Sequence, residues 1–245
     1  MNRTEELKLR FHDFGYMVIP QFYVKSTISA VSELISHLSG DATSACGVLK
    51  IMDKSVTGET ILNRLENTIN DSCNELGKLI INDKLIEILT SLFDGQKPII
   101  FKDKINFKPP GCRADLIHQD QASGWNRYSD YFISVCISID ENSQNNGAMR
   151  FLSTGNYPKS LMTDDWEPVT FDDPETLPRD QYQIVEINPG DIVIFDSYIP
   201  HGSPINHSDS FRRNIFLTFN SASKGELRQR YYEDRKAQYP PGSFI

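Results

Sequence analysis

Residues 191–219, DIVIFDSYIPHGSPINHSDSFRRNIFLTF, hold two β-rich runs, 191–195 and 211–219, on either side of a polar stretch that carries His201. Val, Ile and Phe dominate both runs. Pro200, Pro204 and Asn206 punctuate the segment between them, which predicts a strand, a loop bearing His201, and a second strand. The same texture recurs upstream. YFISVCISI at 131–139 is β-branched and aromatic, QIVEI at 183–187 ends at Asn188-Pro189-Gly190, and PIIFKDKINF at 98–107 partly alternates before Pro109-Pro110-Gly111.

Helical periods lie on both sides of this block. Residues 5–14 place Leu7, Phe11 and Phe14 on one face and stop at Gly15; 16–19 is a short strand closed by Pro20. Ser26 is positioned to cap a second helix, with Ile28, Val31, Leu34, Ile35 and Leu38 as its stripe and Gly40 as its end. Residues 41–57 are polar and read as loop, while 59–74 and 83–93 read as helices, with Phe14 and Phe93 in the core. Residues 155–181 contain four prolines and several acids and read as an irregular insertion. From Gly225 the pattern is helical again until Pro240-Pro241. The expected fold is one α+β domain over 1–245: a mainly helical buttress (1–95), a double-sheet barrel core (96–222) and a C-terminal helix (223–245).

Composition narrows the function classes. The 245 residues carry 25 Lys and Arg against 33 Asp and Glu, a net charge of −8, which disfavours nucleic-acid and membrane-surface partners. No apolar run reaches the roughly 18 residues of a membrane span, and the charged N-terminus is unlike a signal peptide. Cys46, Cys73, Cys112 and Cys136 are scattered, with no CxxC pair. Together these features point to a reducing, cytoplasmic setting.

The chemistry-bearing residues are few. His118-Gln119-Asp120 follows a strand-like run, and residues two apart on a strand share a face, so the imidazole and the carboxylate can meet at one ion. An HxD triplet alone is also an ordinary solvated turn. His201 is the best third ligand, and two histidines with one carboxylate make the facial set of non-haem Fe(II) oxygenases, which leaves coordination positions open. Arg212 opens the last strand, and its planar fork matches a carboxylate such as the distal end of 2-oxoglutarate. Ser203 can add a hydroxyl there, and Arg213 should point to the opposite face.

Other residues carry open alternatives. Gln121 and Trp125, with Asn126 and Tyr128, line a substrate pocket or, for Trp125, serve packing. Cys136 shares a strand face with Ser134 and Ser138, lining either the cavity or the core. Lys102, Lys104 and Lys108 fall on one face with Asn106, as an attractor for an anionic group or as a solvated face. His12, His37 and His207 read as surface residues.

The set HQD…H-x10-R, with FDSYIPHGS, FRRNIFLTFNSASKGELRQRYYEDRKAQYPPG and the early GYMVIP, resembles the phytanoyl-CoA dioxygenase-like family of Fe(II)/2-oxoglutarate oxygenases over nearly the whole chain. FDSYIPHGSPIN and RRNIFLTFNS are similar to the ectoine hydroxylase branch; FKDKINFKPPG, the HQD loop and YYEDRK are similar to bacterial 2-aminoethylphosphonate hydroxylases. The resemblance implies a double-stranded β-helix (jelly-roll, cupin-like). It implies iron on His118, Asp120 and His201, 2-oxoglutarate on Arg212, Ser203 and Asn106, and O2 as the second co-substrate. The implied reaction is hydroxylation of a small polar metabolite with release of succinate and CO2. Asp120 in place of a small residue argues against halogenation. Gln121 stands where the ectoine branch has an aromatic residue and Lys104 where it has Arg, which argues against ectoine as substrate. A natural-product tailoring oxygenase and a catalytically silent binding barrel are the alternatives.

Overall fold

The computed structural model describes residues 3–40, 47–55, 58–164 and 179–238. Its elements run α1 (Arg3–Phe14), β1 (Tyr16–Ile19), α2 (Lys25–Ser39), β2 (Leu49–Lys54), β3 (Thr60–Glu66), α3 (Glu75–Ile80), α4 (Asp83–Leu92), β4 (Pro98–Lys108), β5 (Asp115–His118), β6 (Ile133–Ser138), β7 (Arg150–Leu152), β8 (Tyr182–Ile184), β9 (Ile192–Asp196), β10 (His201–Ser203), β11 (Arg212–Ser221) and α5 (Arg228–Gln238). The strands form an antiparallel sheet of seven, in the order β1-β9-β6-β11-β4-β3-β2, and one of four, in the order β5-β10-β7-β8. Among the described residues no ladder joins the two sheets into a closed barrel.

Strand alternation sorts the large sheet into two faces. On one face Leu65, Ile105, Ile133, Val135, Ile192, Ile194, Ile215 and Leu217 pack with Phe11, Val31, Ile35, Leu85 and Leu89 of the helices. On the other face Cys136, Val193, Phe195 and Phe216 meet Ile117, Phe151 and Leu152 of the small sheet. Helices thus cover one face of the large sheet, and the first 95 residues supply β1, β2 and β3 as well as α1 to α4.

Several local expectations are corrected. Residues 49–54 are strand β2 rather than loop, and 60–66 are strand β3 rather than helix. Ile61, Leu62 and Leu65 fit a helical stripe, yet the ladder of β3 with β2 and β4 decides the outcome. The cap position of α2 is Val24, with Ser26 inside the helix, and Phe14 is exposed. The α2 stripe and Gly40 stop are as read. Most of the 155–181 insertion, Cys46, and the Pro240-Pro241 stop lie outside the described residues.

A bulge couples the last helix to the sheet. Thr218 pairs with Lys102 and Phe219 with Ile100, which leaves Phe101 unpaired and turned toward α5. Its ring lies 4.4 Å from Phe132 and 4.7 Å from Tyr231, with Trp125 at 5.8 Å. Phe101 is fully buried, so Phe101→Ala is expected to cost about 3–5 kcal/mol in urea unfolding. A loss below about 1 kcal/mol would show that α5 is not anchored there.

Candidate iron and co-substrate site

His118 ends β5 and His201 begins β10, and the two are direct partners in that antiparallel ladder, with ring centroids 4.5 Å apart. His201 thus sits on a short strand, not in a loop. Asp120 does not extend β5; it opens a 3-10 turn, Asp120–Ala122, which folds its carboxylate back toward the two rings. Asp120 Oδ1 is 3.8 Å from His118 Nε2 and 3.9 Å from His201 Nε2. The ligand atoms of the three residues all fall within 4.8 Å of one another, a group that could hold a metal ion.

The surroundings orient these atoms. The Nδ1 atoms of His118 and His201 face the carbonyls of Leu116 and Ile199 at 2.7 and 2.9 Å, which leaves each Nε2 directed at Asp120. Phe151 stacks on His201, and Phe195 lies against it. Burial, then the nearby His118, push His201 down to about 4, so its ring is neutral at physiological pH. Burial alone would raise the Asp120 carboxyl, but His201, Lys104, His118 and Lys102 hold it below the usual carboxylate range. Ser134 donates to Asp120 Oδ2 at 3.2 Å and meets Thr218 Oγ1 at 3.1 Å. Ser134→Ala is expected to weaken Fe(II) affinity about 10- to 100-fold in an anaerobic titration without altering the fold. Unchanged affinity would remove Ser134 from the account.

Arg212 opens β11 opposite Lys108 and is buried. Its Nη1 donates to the Gly147 carbonyl at 2.6 Å, and Ser203 Oγ donates to the same carbonyl at 2.7 Å. Gly147 has φ +79°, and a Cβ there would lie 2.5 Å from the Pro204 carbonyl, so only glycine brings that carbonyl to the pair. Arg212 Nε and Asn106 Oδ1 are buried without hydrogen-bond partners, as expected of groups that await a ligand. Arg213 points away and forms a two-pronged pair with Asp140, at 2.8 and 2.7 Å.

Metal group and anchor open onto one cavity of about 430 Å³. Trp125, Lys104 and Asn106 line it, as do Lys102 and Lys108. The lysine face of β4 is therefore roofed, not solvated. Cys136 and Gln121 are buried away from the lining: Cys136 packs with Phe195 and Phe216, and Gln121 Nε2 donates to the Ser129 carbonyl. Asn126 is exposed, and Tyr128 packs beside Tyr231. His12, His37 and His207 are on the surface. Arg64 and Arg235 also line the cavity. Sequence reasoning missed them, the first because β3 reads as a helix and the second because nothing local aims a C-terminal helix at the barrel.

Residues 11–214 match the sequence pattern described as phytanoyl-CoA dioxygenase (PhyH). The chain belongs to this family. A 2-aminoethylphosphonate dioxygenase from an uncultured bacterium is 30% identical over 239 residues, covering 97% of this chain and 89% of the relative. A methylphosphonate hydroxylase from Gimesia maris is 25% identical, covering 94% of this chain and 85% of the relative. A crystal structure of EctD from S. alaskensis superimposes with TM-score 0.75 at 20% identity over 91% of this chain and 78% of that one, which shows a shared fold. This member of the phytanoyl-CoA dioxygenase family is a 2-oxoglutarate-dependent non-haem iron dioxygenase acting on a small molecule. No helix among the described residues is long and apolar enough to cross a membrane.

Proposed function

We propose that the enzyme hydroxylates a C–H bond of a small organophosphorus metabolite, with His118, Asp120 and His201 as the iron ligands. The convergence of these three side chains beside Arg212 in one cavity carries the reading. Three protein ligands leave positions for the 2-oxo acid and for O2. Arg212 and Ser203 hold the distal carboxylate of 2-oxoglutarate, and Asn106 contributes its side-chain amide. With iron bound, the site supplies an oxidant able to attack an unactivated C–H bond, one oxygen of O2 going to succinate and the other to product.

The chain's own residues perform the remaining tasks. The ladder partners His118 and His201 would hold such an ion at the cavity wall, with Asp120 beside them. The buried rings of Trp125 and Tyr231 wall part of that cavity and cut the solvent contact of the charges beside them, Lys102 among them. The phosphonate names of the two relatives above supply the substrate class. Cys112 and Cys136 are buried free thiols, which fits a cytoplasmic enzyme. A silent binding barrel would have no use for two ordered histidines and a buried, half-satisfied arginine.

The test is succinate release with Fe(II) and 2-oxoglutarate across a panel of alkyl- and aminophosphonates, ectoine-like zwitterions and amino acids. Stimulation by a phosphonate above the substrate-free rate is expected. Stimulation confined to the other classes would overturn the substrate class, and no release with any compound would overturn the reaction.

A further inference from the structure

We infer that Arg64, Lys102, Lys104 and Arg235 form a cradle for a doubly charged tetrahedral head group, held in shape by the buried carboxylate of Glu66. This inference rests on the proposed function and adds the site and charge state of the group recognised. The alternation of the large sheet places these residues together. Arg64 is opposite Asn106 and Glu66 is opposite Lys104 in the β3–β4 ladder, so both share the cavity face of β4 with Lys102 and Lys104. Helix α5 closes over that face and brings Tyr231 and Arg235 to the cavity wall.

Glu66 is fully buried and acts as the hub. Its Oε1 lies 3.1 Å from Arg64 Nε and 3.8 Å from Lys102 Nζ, and its Oε2 lies 3.1 Å from Arg235 Nε. Arg235 Nη2 adds a second contact to Oε1 at 3.3 Å. Three cations are thus tied to one carboxylate. Lys104 stands apart from that hub, with its ammonium 4.7 Å over the Phe216 ring and no ion pair or hydrogen bond to a described residue. Lys102 rests its charge between the rings of Trp125 and Tyr231, at 5.6 and 5.2 Å.

Four cations against one carboxylate leave an excess of positive charge around the buried Lys102 and Arg235. Such an excess is costly unless a ligand offsets it. The carboxylates that line the same cavity offset it only in part: Asp115 pairs with Lys108 at 3.2 Å, and Asp120, which Lys104 and Lys102 also face, belongs to the metal group. Guanidinium forks and ammonium donors held at fixed positions match the oxygens of a tetrahedral oxyanion. Part of the ordering is done before the ligand arrives, because two hydrogen bonds to Glu66 already fix the Arg235 guanidinium, while Arg64 is held near the same carboxylate by charge alone. A singly charged group of the same shape leaves part of the excess unmatched.

Methylphosphonate and methanesulfonate separate charge from shape. Calorimetric titration into protein loaded with Ni(II) and saturating 2-oxoglutarate, so that no turnover occurs, reads the affinity of each. The phosphonate is expected to bind at least about 10-fold more tightly than the sulfonate. Lys104→Met, which leaves the Glu66 hub intact, is expected to narrow that ratio to about 2-fold, and Lys104→Arg to restore most of it. Equal affinities in the wild type, no binding of either ion, or a ratio unchanged in Lys104→Met would each overturn the cradle. Equal affinities alongside phosphonate-stimulated succinate release would overturn the cradle alone. Selective binding without any turnover would leave the cradle standing and overturn the reaction.

Discussion

Replacing Asp120 with Ala is expected to abolish succinate formation, a fall of at least about 1,000-fold, with the unfolding midpoint close to the wild type. Asp120 is the only carboxylate of the metal group, and its Oδ1 faces both histidine Nε2 atoms. Two imidazoles without a charged oxygen donor make a poor seat for a hard divalent ion. His118→Ala should have the same effect, because it removes one of those imidazoles from the β5–β10 ladder. Stability should hold, since His118 is partly exposed and Asp120 lies in a 3-10 turn outside the apolar clusters. In the metal-free protein, removal of Asp120 also relieves a buried charge. Turnover near the wild-type rate in either variant would mean that the ion is held elsewhere.

The second large effect concerns the co-substrate. Arg212→Ala is expected to raise the KM for 2-oxoglutarate about 30- to 5,000-fold, the effect of about 2–5 kcal/mol for losing one partner of a buried charge pair. Arg213→Ala should change that KM by less than about 2-fold, because Arg213 is tied to Asp140 on the opposite face. The contrast tests the strand register itself. A one-residue slip in β11 would exchange the two roles, and a KM sensitive to Arg213 but not to Arg212 would establish that slip.

The parts of the site that were legible in the sequence share a property: strong local signals fix them. β9 and β11 are dense in Val, Ile and Phe, so their positions and the inward direction of Arg212 follow from alternation. His118, Asp120 and His201 are chemically distinctive, and two of them sit within one triplet. The illegible parts depend on partners distant in sequence. β7 and β10 have three residues each, too few to show a period, and exist because β10 pairs with β5 and β7. β3 carries an ambiguous apolar spacing that the β4 ladder resolves, and with it Arg64 and Glu66 turn toward the cavity. Alternation alone placed Lys102, Lys104, Asn106 and Lys108 on one face, but it could not say that α5 would roof that face. Cys136 and Gln121 show the limit in the other direction. Each sits beside residues of the metal region, and each turns into packing or backbone contacts instead.

The central claim is that one divalent iron ion is held by His118, Asp120 and His201 beside an arginine that anchors 2-oxoglutarate. Anaerobic calorimetric titration of Fe(II) into the protein with 2-oxoglutarate present tests it most directly. One ion per chain is predicted for the wild type, with no saturable binding in Asp120→Ala. No binding by the wild type, or the same stoichiometry and affinity in the variant, would contradict it.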